Sequence, residues 1–164
     1  MGGPKALMLH QGRPWILPLV EALAEVVGSV RVVLGAEAEQ VSALLPPSVE
    51  RVLNLDWAES DMAASLGLGL EGLAPDRLVL ICPVDMPPPP PELLRALLAI
   101  DGPAVASFQG QDGHPVVVQA APLAARQTLR DLLVEAVRVP TGWPGAVVNL
   151  NTPADLRRWQ SRED

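Results

Sequence analysis

Short, nearly unbroken apolar runs alternate along the chain with stretches in which apolar residues recur every three or four positions. The first pattern predicts strands buried in a sheet, and the second predicts helices with one apolar face. A helix is expected over 15–27, with Ile16, Leu19, Val20, Leu23 and Val27 on one side and Pro14 near its first turn. A strand follows at 30–34, then a helix over 37–45 stopped by Pro46 and Pro47, then a strand at 51–54. Ser60 or Asp61 can cap a helix running through Met62, Leu66, Leu70 and Leu73. The next run, Leu78 to Asp85, is closed by the prolines Pro87 to Pro91, and a helix is predicted from there to Ile100. Beyond Pro103 the alternation changes. Strands at 104–107 and 115–119 are joined by a polar, glycine-rich connector over 108–114, a hairpin or a crossover, expected to be a functional loop. A helix at 122–136 and a strand at 146–149 precede a final helix, with Asn151 or Thr152 at its N-cap, Pro153 at its first position and Asp155 in its first turn. The order predicts an α/β fold: a three-layer, Rossmann-like, mostly parallel sheet with helices on both faces.

The run ending at Asp85 organises the rest. Its apolar residues predict a strand buried on both faces, stopped near Asp85 because the prolines cannot continue a ladder. Open α/β sheets bind ligands just beyond the carboxyl ends of their strands, so Asp85 falls where chemistry is done. A carboxylate there suits Mg²⁺, which takes one or two protein carboxylates together with substrate phosphates. It equally suits a solvated aspartate that caps the following helix. This stretch alone does not choose between them.

Composition narrows the possibilities. The 164 residues fit one domain, expected to span 1–164 with a sizeable core, and the hydrophobic share of 49% is that of a globular chain. No apolar stretch is long enough to span a membrane, and no basic-then-apolar leader opens the sequence. The net charge is −7 with no basic cluster, which argues against a nucleic-acid binder, whose affinity needs a cationic footprint. The single cysteine, Cys82, excludes an intrachain disulfide and reads as a small buried hydrophobe suited to the cytoplasm. An anionic ligand must therefore be met by a metal, by backbone N–H groups or by a few placed cations. Lys5, the sole lysine, stands just after Gly2 and Gly3. Glycines allow close backbone approach to phosphate, and a lysine can reach its oxygens as a point charge. No serine or cysteine nucleophile with a base partner is recognisable.

Met-Gly-Gly-Pro-Lys (1–5), Gly-Arg-Pro (12–14), Asn54 with Trp57, Met62 and Ser65-Leu66, Cys-Pro-Val-Asp-Met-Pro (82–87), Gly-His-Pro (113–115) and Asn-Leu-Asn-Thr-Pro-Ala-Asp-Leu (149–156) occur in that order. Together they resemble the molybdenum-cofactor nucleotidyltransferases, the guanylyltransferase and its cytidylyltransferase relatives, within the nucleotide-diphospho-sugar transferase fold. The resemblance covers the chain from end to end. It implies that Asp85 holds Mg²⁺ against nucleotide phosphates, that Lys5 contacts the triphosphate with help from the backbone of Gly2 and Gly3, and that Asn54 and Asp56 lie near the nucleotide. Asn149 and Asn151 match paired asparagines near metal and acceptor phosphate, with Asn149 in a catalytic role, and His114 lies in a loop over the acceptor. A structural turn histidine at 114 and a bare N-cap at 151 remain equal alternatives.

The implied reaction moves an NMP, GMP favoured, from a nucleoside triphosphate (GTP or CTP) to the phosphate of molybdopterin in a cytoplasmic enzyme, a monomer or weak homo-oligomer. The tail with Arg158-Trp159 is more like the guanylyltransferases; Asn54-x-x-Trp57 and Gly-His-Pro are more like the cytidylyltransferases. The family's opening strand and glycine-rich loop have no counterpart before Met1. That strand is central in the family's sheet, so its absence is expected to leave two strand edges open or to make the sheet close over the gap. A start assigned too late and a degenerate, non-catalytic relative are the competing explanations. A sugar-phosphate nucleotidyltransferase of the same fold is the alternative enzyme.

Overall fold

The computed structural model describes residues 5–121 and 128–161. Gly2 and Gly3, and the first part of the helix expected at 122–136, lie outside the described residues. A 3₁₀ turn over Lys5–Leu7 leads into a small antiparallel pair, β1 (Leu9–His10) and β2 (Arg13–Pro14). Helix α1 (Ile16–Ala24) follows and buries Ile16, Leu19 and Val20, on the face that its apolar spacing predicts. Strands β3 (Arg31–Leu34) and β4 (Glu50–Leu53) pair in parallel across α2 (Ala38–Leu44), a right-sized crossover that ends before Pro46. Ala6, Ile16, Val20, Val30, Leu34, Val41, Leu45 and Val49 form one core between these elements. Helix α3 (Met62–Leu70) is capped by Asp61, whose carboxylate accepts from the Ala64 N–H at 2.9 Å.

The second sheet has the order β5-β7-β6-β8, formed by Leu78–Ile81, Gln111–Gln119, Ala104–Phe108 and Val137–Pro140 respectively. Strands β5, β6 and β8 run one way and β7 alone runs against them. The α/β class is as expected from the alternation of elements. Helix α4 (Pro91–Leu98) packs on this sheet through Leu93 and Leu97, against Ala104, Ala106, Val117 and Ala146. Two further helices, α5 (Leu129–Leu133) and α6 (Pro153–Gln160), both open with capping boxes, Thr128 with Asp131 and Thr152 with Asp155.

Five local expectations are corrected. Strand β5 stops at Ile81, four residues short of Asp85, and is half-buried along its whole length rather than buried on both faces. The reason is pairing: β5 bonds only to β7 and β3 only to β4, so among the described residues each keeps one open edge and the two sheets stay separate. The connector at 108–114 is mostly strand. Gln109 (φ 51°) and Gly110 (φ 82°) make a two-residue turn with both residues left-handed, the form whose twist suits a hairpin, so the ladder runs on through Gln111 and Asp112. Residues 146–149 are no strand, because Pro144–Val147 closes into a 3₁₀ turn with the Val148 N–H on the Gly145 carbonyl at 3.2 Å. The helix expected to reach 136 ends at Leu133, and β8, unforeseen, runs parallel to β6 from Val137. Helix α1 is shorter than the 15–27 expected, ending at Ala24.

Candidate active site

The turn after β5 is held from three sides. The indole N–H of Trp15, a fully buried residue, donates to the Val84 carbonyl at 3.0 Å. The Leu150 N–H donates to the Asp85 carbonyl at 2.6 Å, tying this turn to the segment that precedes α6. Met86, Pro87 and Pro89 are buried immediately behind it. The proline run thus works as a rigid exit that drives one turn into the core, leaving the Asp85 side chain 22% exposed. Trp15 carried no functional signal in the sequence, yet it is one of the groups that fix the height of Asp85.

Lys5 reaches the same place from the opposite end of the chain. Its ammonium donates to Asp85 Oδ2 at 2.7 Å and to Asn151 Oδ1 at 2.6 Å. Asn151 is presented there because Thr152 takes the N-cap of α6, with its hydroxyl accepting from the Asp155 N–H at 3.2 Å while the Asp155 carboxylate accepts from the Thr152 N–H at 2.9 Å. That reciprocal cap holds Asp155 below the usual carboxylate range, chiefly through the Thr152 hydroxyl. The far end of α6 is held by Gln160, whose amide lies 2.9 Å from His10 Nδ1, and its inner face packs Leu156 and Trp159 with Trp15 and Leu150. Asn151 is therefore not the N-cap residue, and its side chain is free to face Lys5. Asn149 is exposed two residues earlier in the same segment.

His114 stands close enough to Asp85 for the carboxylate to act on it. Burial lowers its pKa from 6.5, and Asp85 pulls in the opposite direction without cancelling the effect. Its Nδ1 is buried and has no hydrogen-bond partner. The preceding Gly113 is where β7 meets the 3₁₀ turn: a Cβ there would collide with the Ala146 carbonyl oxygen. Only glycine lets the two backbones approach this closely. Gly113→Ala is expected to lower stability by about 1–3 kcal/mol through overpacking and to displace His114. Denaturant unfolding checks the first effect; an unchanged midpoint would mean that the backbones are not in contact.

His114 also has a pH consequence. Below about pH 6.5 the unfolded chain takes up a proton on this residue while the buried ring resists it, so stability falls as the pH drops through that value. His114→Gln is expected to flatten the dependence of unfolding free energy between about pH 7.5 and pH 5. An unaltered slope in the variant would show that the ring titrates normally.

Asn54 and Asp56 follow the carboxyl end of β4. The amide of buried Asn54 donates to the Ser60 and Ser65 hydroxyls, both at 2.9 Å, and its oxygen accepts from the Asp56 N–H at 3.1 Å. Its hydrogen-bonding capacity is directed into the 54–65 loop, whereas Asp56 is exposed. Trp57, half-exposed, lies over Gly35 at the end of β3. Cys82, unpaired, has its thiol pushed up by burial and is no nucleophile.

The structure thus brings together Lys5, Asp85, Asn151 and His114, from four distant parts of the chain. Two oxygen donors converge on one cation between them, which fits a hard divalent metal completed by ligand phosphates. Among the described residues no group of three His, Cys, Asp or Glu side chains forms an all-protein metal cage. A carboxylate and an amide share a single lysine just beyond the carboxyl end of a strand, the place where open α/β sheets bind ligands.

The chain belongs to the MobA-like NTP transferase domain family, whose model matches residues 1–138. It is a nucleotidyltransferase-family domain. A nucleotidyl transferase from Methanothermobacter thermautotrophicus (Mth528) is similar in structure, with 25% identity, a TM-score of 0.80, and coverage of 96% of this chain and 84% of that one. Rv0371C from Mycobacterium tuberculosis, in its manganese complex, is similar with 19% identity, a TM-score of 0.76, and coverage of 94% and 90%. Molybdopterin-guanine dinucleotide biosynthesis protein A from Archaeoglobus fulgidus is similar with 19% identity, a TM-score of 0.64, and coverage of 96% and 89%. No curated protein matches the sequence. Among the described residues no helix is long and apolar enough to cross a membrane.

Proposed function

We propose that this protein is a Mg²⁺-dependent nucleotidyltransferase that moves an NMP from a nucleoside triphosphate to the phosphate of molybdopterin, with GTP the favoured donor. The observation that carries the reading is the convergence of Lys5, Asp85 and Asn151 on one point beyond the carboxyl end of β5. An acceptor phosphate oxygen attacks the α-phosphorus, the bond from that phosphorus to the bridging oxygen breaks, and pyrophosphate leaves. Such a reaction asks the protein for positioning and charge compensation rather than for a covalent intermediate. Mg²⁺, when bound, supplies Lewis-acid stabilisation of the phosphate charge. Asp85 would hold it, with the Asn151 side-chain carbonyl oxygen beside it. Lys5 contacts the triphosphate, with Gly2 and Gly3 before it. Asn149 and His114 face the acceptor, where a neutral imidazole exchanges a hydrogen bond without adding charge. Asn54 and Asp56 border the nucleotide through the loop that Asn54 organises.

Gly113-His114-Pro115 and Asn54-x-x-Trp57 favour a second reading in which cytidine replaces guanosine. The donor is decided by Mg²⁺-dependent binding of GTP, CTP and ATP, read as thermal stabilisation of the whole chain. A ligand at about a hundred times its dissociation constant adds roughly 2.7 kcal/mol when it binds only the folded state. Stabilisation by GTP supports the first reading and by CTP the second. Stabilisation by none of them counts against both and supports a non-catalytic domain.

A further inference from the structure

We infer that Lys5 keeps the cation site closed until a triphosphate arrives, so that metal and nucleotide enter together and the metal does not bind first. The inference rests on the reading of Asp85 as the metal ligand and adds an order of binding to it. The ammonium lies 2.7 Å from Asp85 Oδ2 and 2.6 Å from Asn151 Oδ1. Both are oxygens of the kind a hard cation takes, and a cation held by the two would have to occupy the place that the ammonium holds. Lys5 is thus an internal substitute for the cation, satisfying both oxygens while the site waits.

The means of release lie in the same residue. Its backbone is fixed by the 3₁₀ turn Lys5–Leu7, where the Met8 N–H reaches the Lys5 carbonyl at 3.1 Å and Ala6 is buried. The side chain beyond it is a flexible four-carbon stem, and it is 35% exposed, so it can swing without moving the fold. A triphosphate offers the ammonium several anionic oxygens in place of one carboxylate and one neutral amide, and so draws it away. Asp85 and Asn151 are then open to the cation carried by the same nucleotide. With no nucleotide present, a divalent ion must displace a charge-paired ammonium against like-charge repulsion, with nothing to receive it. No other lysine exists in the sequence to take over the role.

The test is Mn²⁺ binding, followed by loss of the free-ion paramagnetic resonance signal, on wild-type protein and Lys5→Met, each with and without GTP and CTP. Without nucleotide, Lys5→Met is expected to bind Mn²⁺ at least about tenfold more tightly than wild type. That gain should vanish in the Lys5→Met, Asp85→Asn double variant. Wild type should bind Mn²⁺ tightly only when a nucleotide is present. Equal affinity for Mn²⁺ alone in wild type and Lys5→Met overturns the closed-site inference while leaving nucleotidyl transfer intact. Should Lys5→Met fail to fold, wild type still decides: tight Mn²⁺ binding without nucleotide overturns the inference. Failure of wild type and variant alike to bind Mn²⁺ with either nucleotide removes the functional reading, and the inference with it.

Discussion

Asp85→Asn is expected to lower kcat/KM for nucleotidyl transfer by about a thousandfold, the scale on which loss of one preorganised charged contact acts. The substitution keeps the size and one oxygen of the side chain but removes the charge. In the resting protein it also removes the anionic partner of Lys5, 2.7 Å away, leaving the ammonium to Asn151 alone. The backbone clamps on this turn, from Trp15 to Val84 and from Leu150 to Asp85, do not involve the side chain and should persist. The variant should therefore unfold near the wild-type midpoint while Mg²⁺-dependent nucleotide binding and pyrophosphate release are lost. A folded Asp85→Asn protein with near-normal turnover would remove Asp85 from the chemistry.

Trp15→Ala is the largest expected stability loss, about 3–5 kcal/mol, as for other deletions of large buried aromatic side chains. Native domains are stable by only about 5–15 kcal/mol, so this change takes a large part of the whole. Trp15 is completely buried, packs with Leu150, Leu156 and Trp159, and meets His10 edge to face with ring centroids 5.3 Å apart. It also supplies the hydrogen bond to the Val84 carbonyl. Trp15→Phe separates these parts: it keeps much of the apolar volume and leaves the carbonyl without its donor. Denaturant unfolding of both variants, with nucleotide binding measured on the Phe form, checks the pair. Weaker binding in a stable Trp15→Phe protein is expected, since the turn that carries Asp85 loses a support. A loss in Trp15→Ala of no more than a surface change would mean that the α6 cluster packs without it.

Legibility in the sequence followed from how local the cause was. Asp61, Thr152, Pro153 and Asp155 specify their helix ends through groups a few residues apart, and all four stand as their residue types predict. The face of α1 is set by periodicity and is buried as read. Strand β8 was hidden because Val137 to Pro140 takes its hydrogen bonds from β6, more than thirty residues earlier, and continues an apolar stretch that reads as helix. The polar Gln111 and Asp112 become strand for the same reason: their partners Phe108 and Ser107 arrive across a turn whose two left-handed residues fold it tightly. Gly113 carried a weak signal as one glycine among several. Its meaning depends on the Ala146 carbonyl, which only the folded backbone brings near.

The candidate site divides in the same way. The sequence by itself determined the chemistry available: one lysine, an aspartate after an apolar run shut off by prolines, paired asparagines before a capped helix, and a histidine between glycine and proline. These follow from residue type and near neighbours, where steric and hydrogen-bonding rules act over a few residues. Only the tertiary structure decided that the lysine meets a carboxylate 80 positions away and an amide 146 positions away, and that Asn54 spends its hydrogen bonds on its own loop. It alone left β5 with an open edge among the described residues, half-buried where its composition predicted full burial. The physical reason is one of range. A residue's propensities are fixed by its own atoms, whereas its charge partners and strand neighbours are fixed by which distant segments the buried apolar faces bring together.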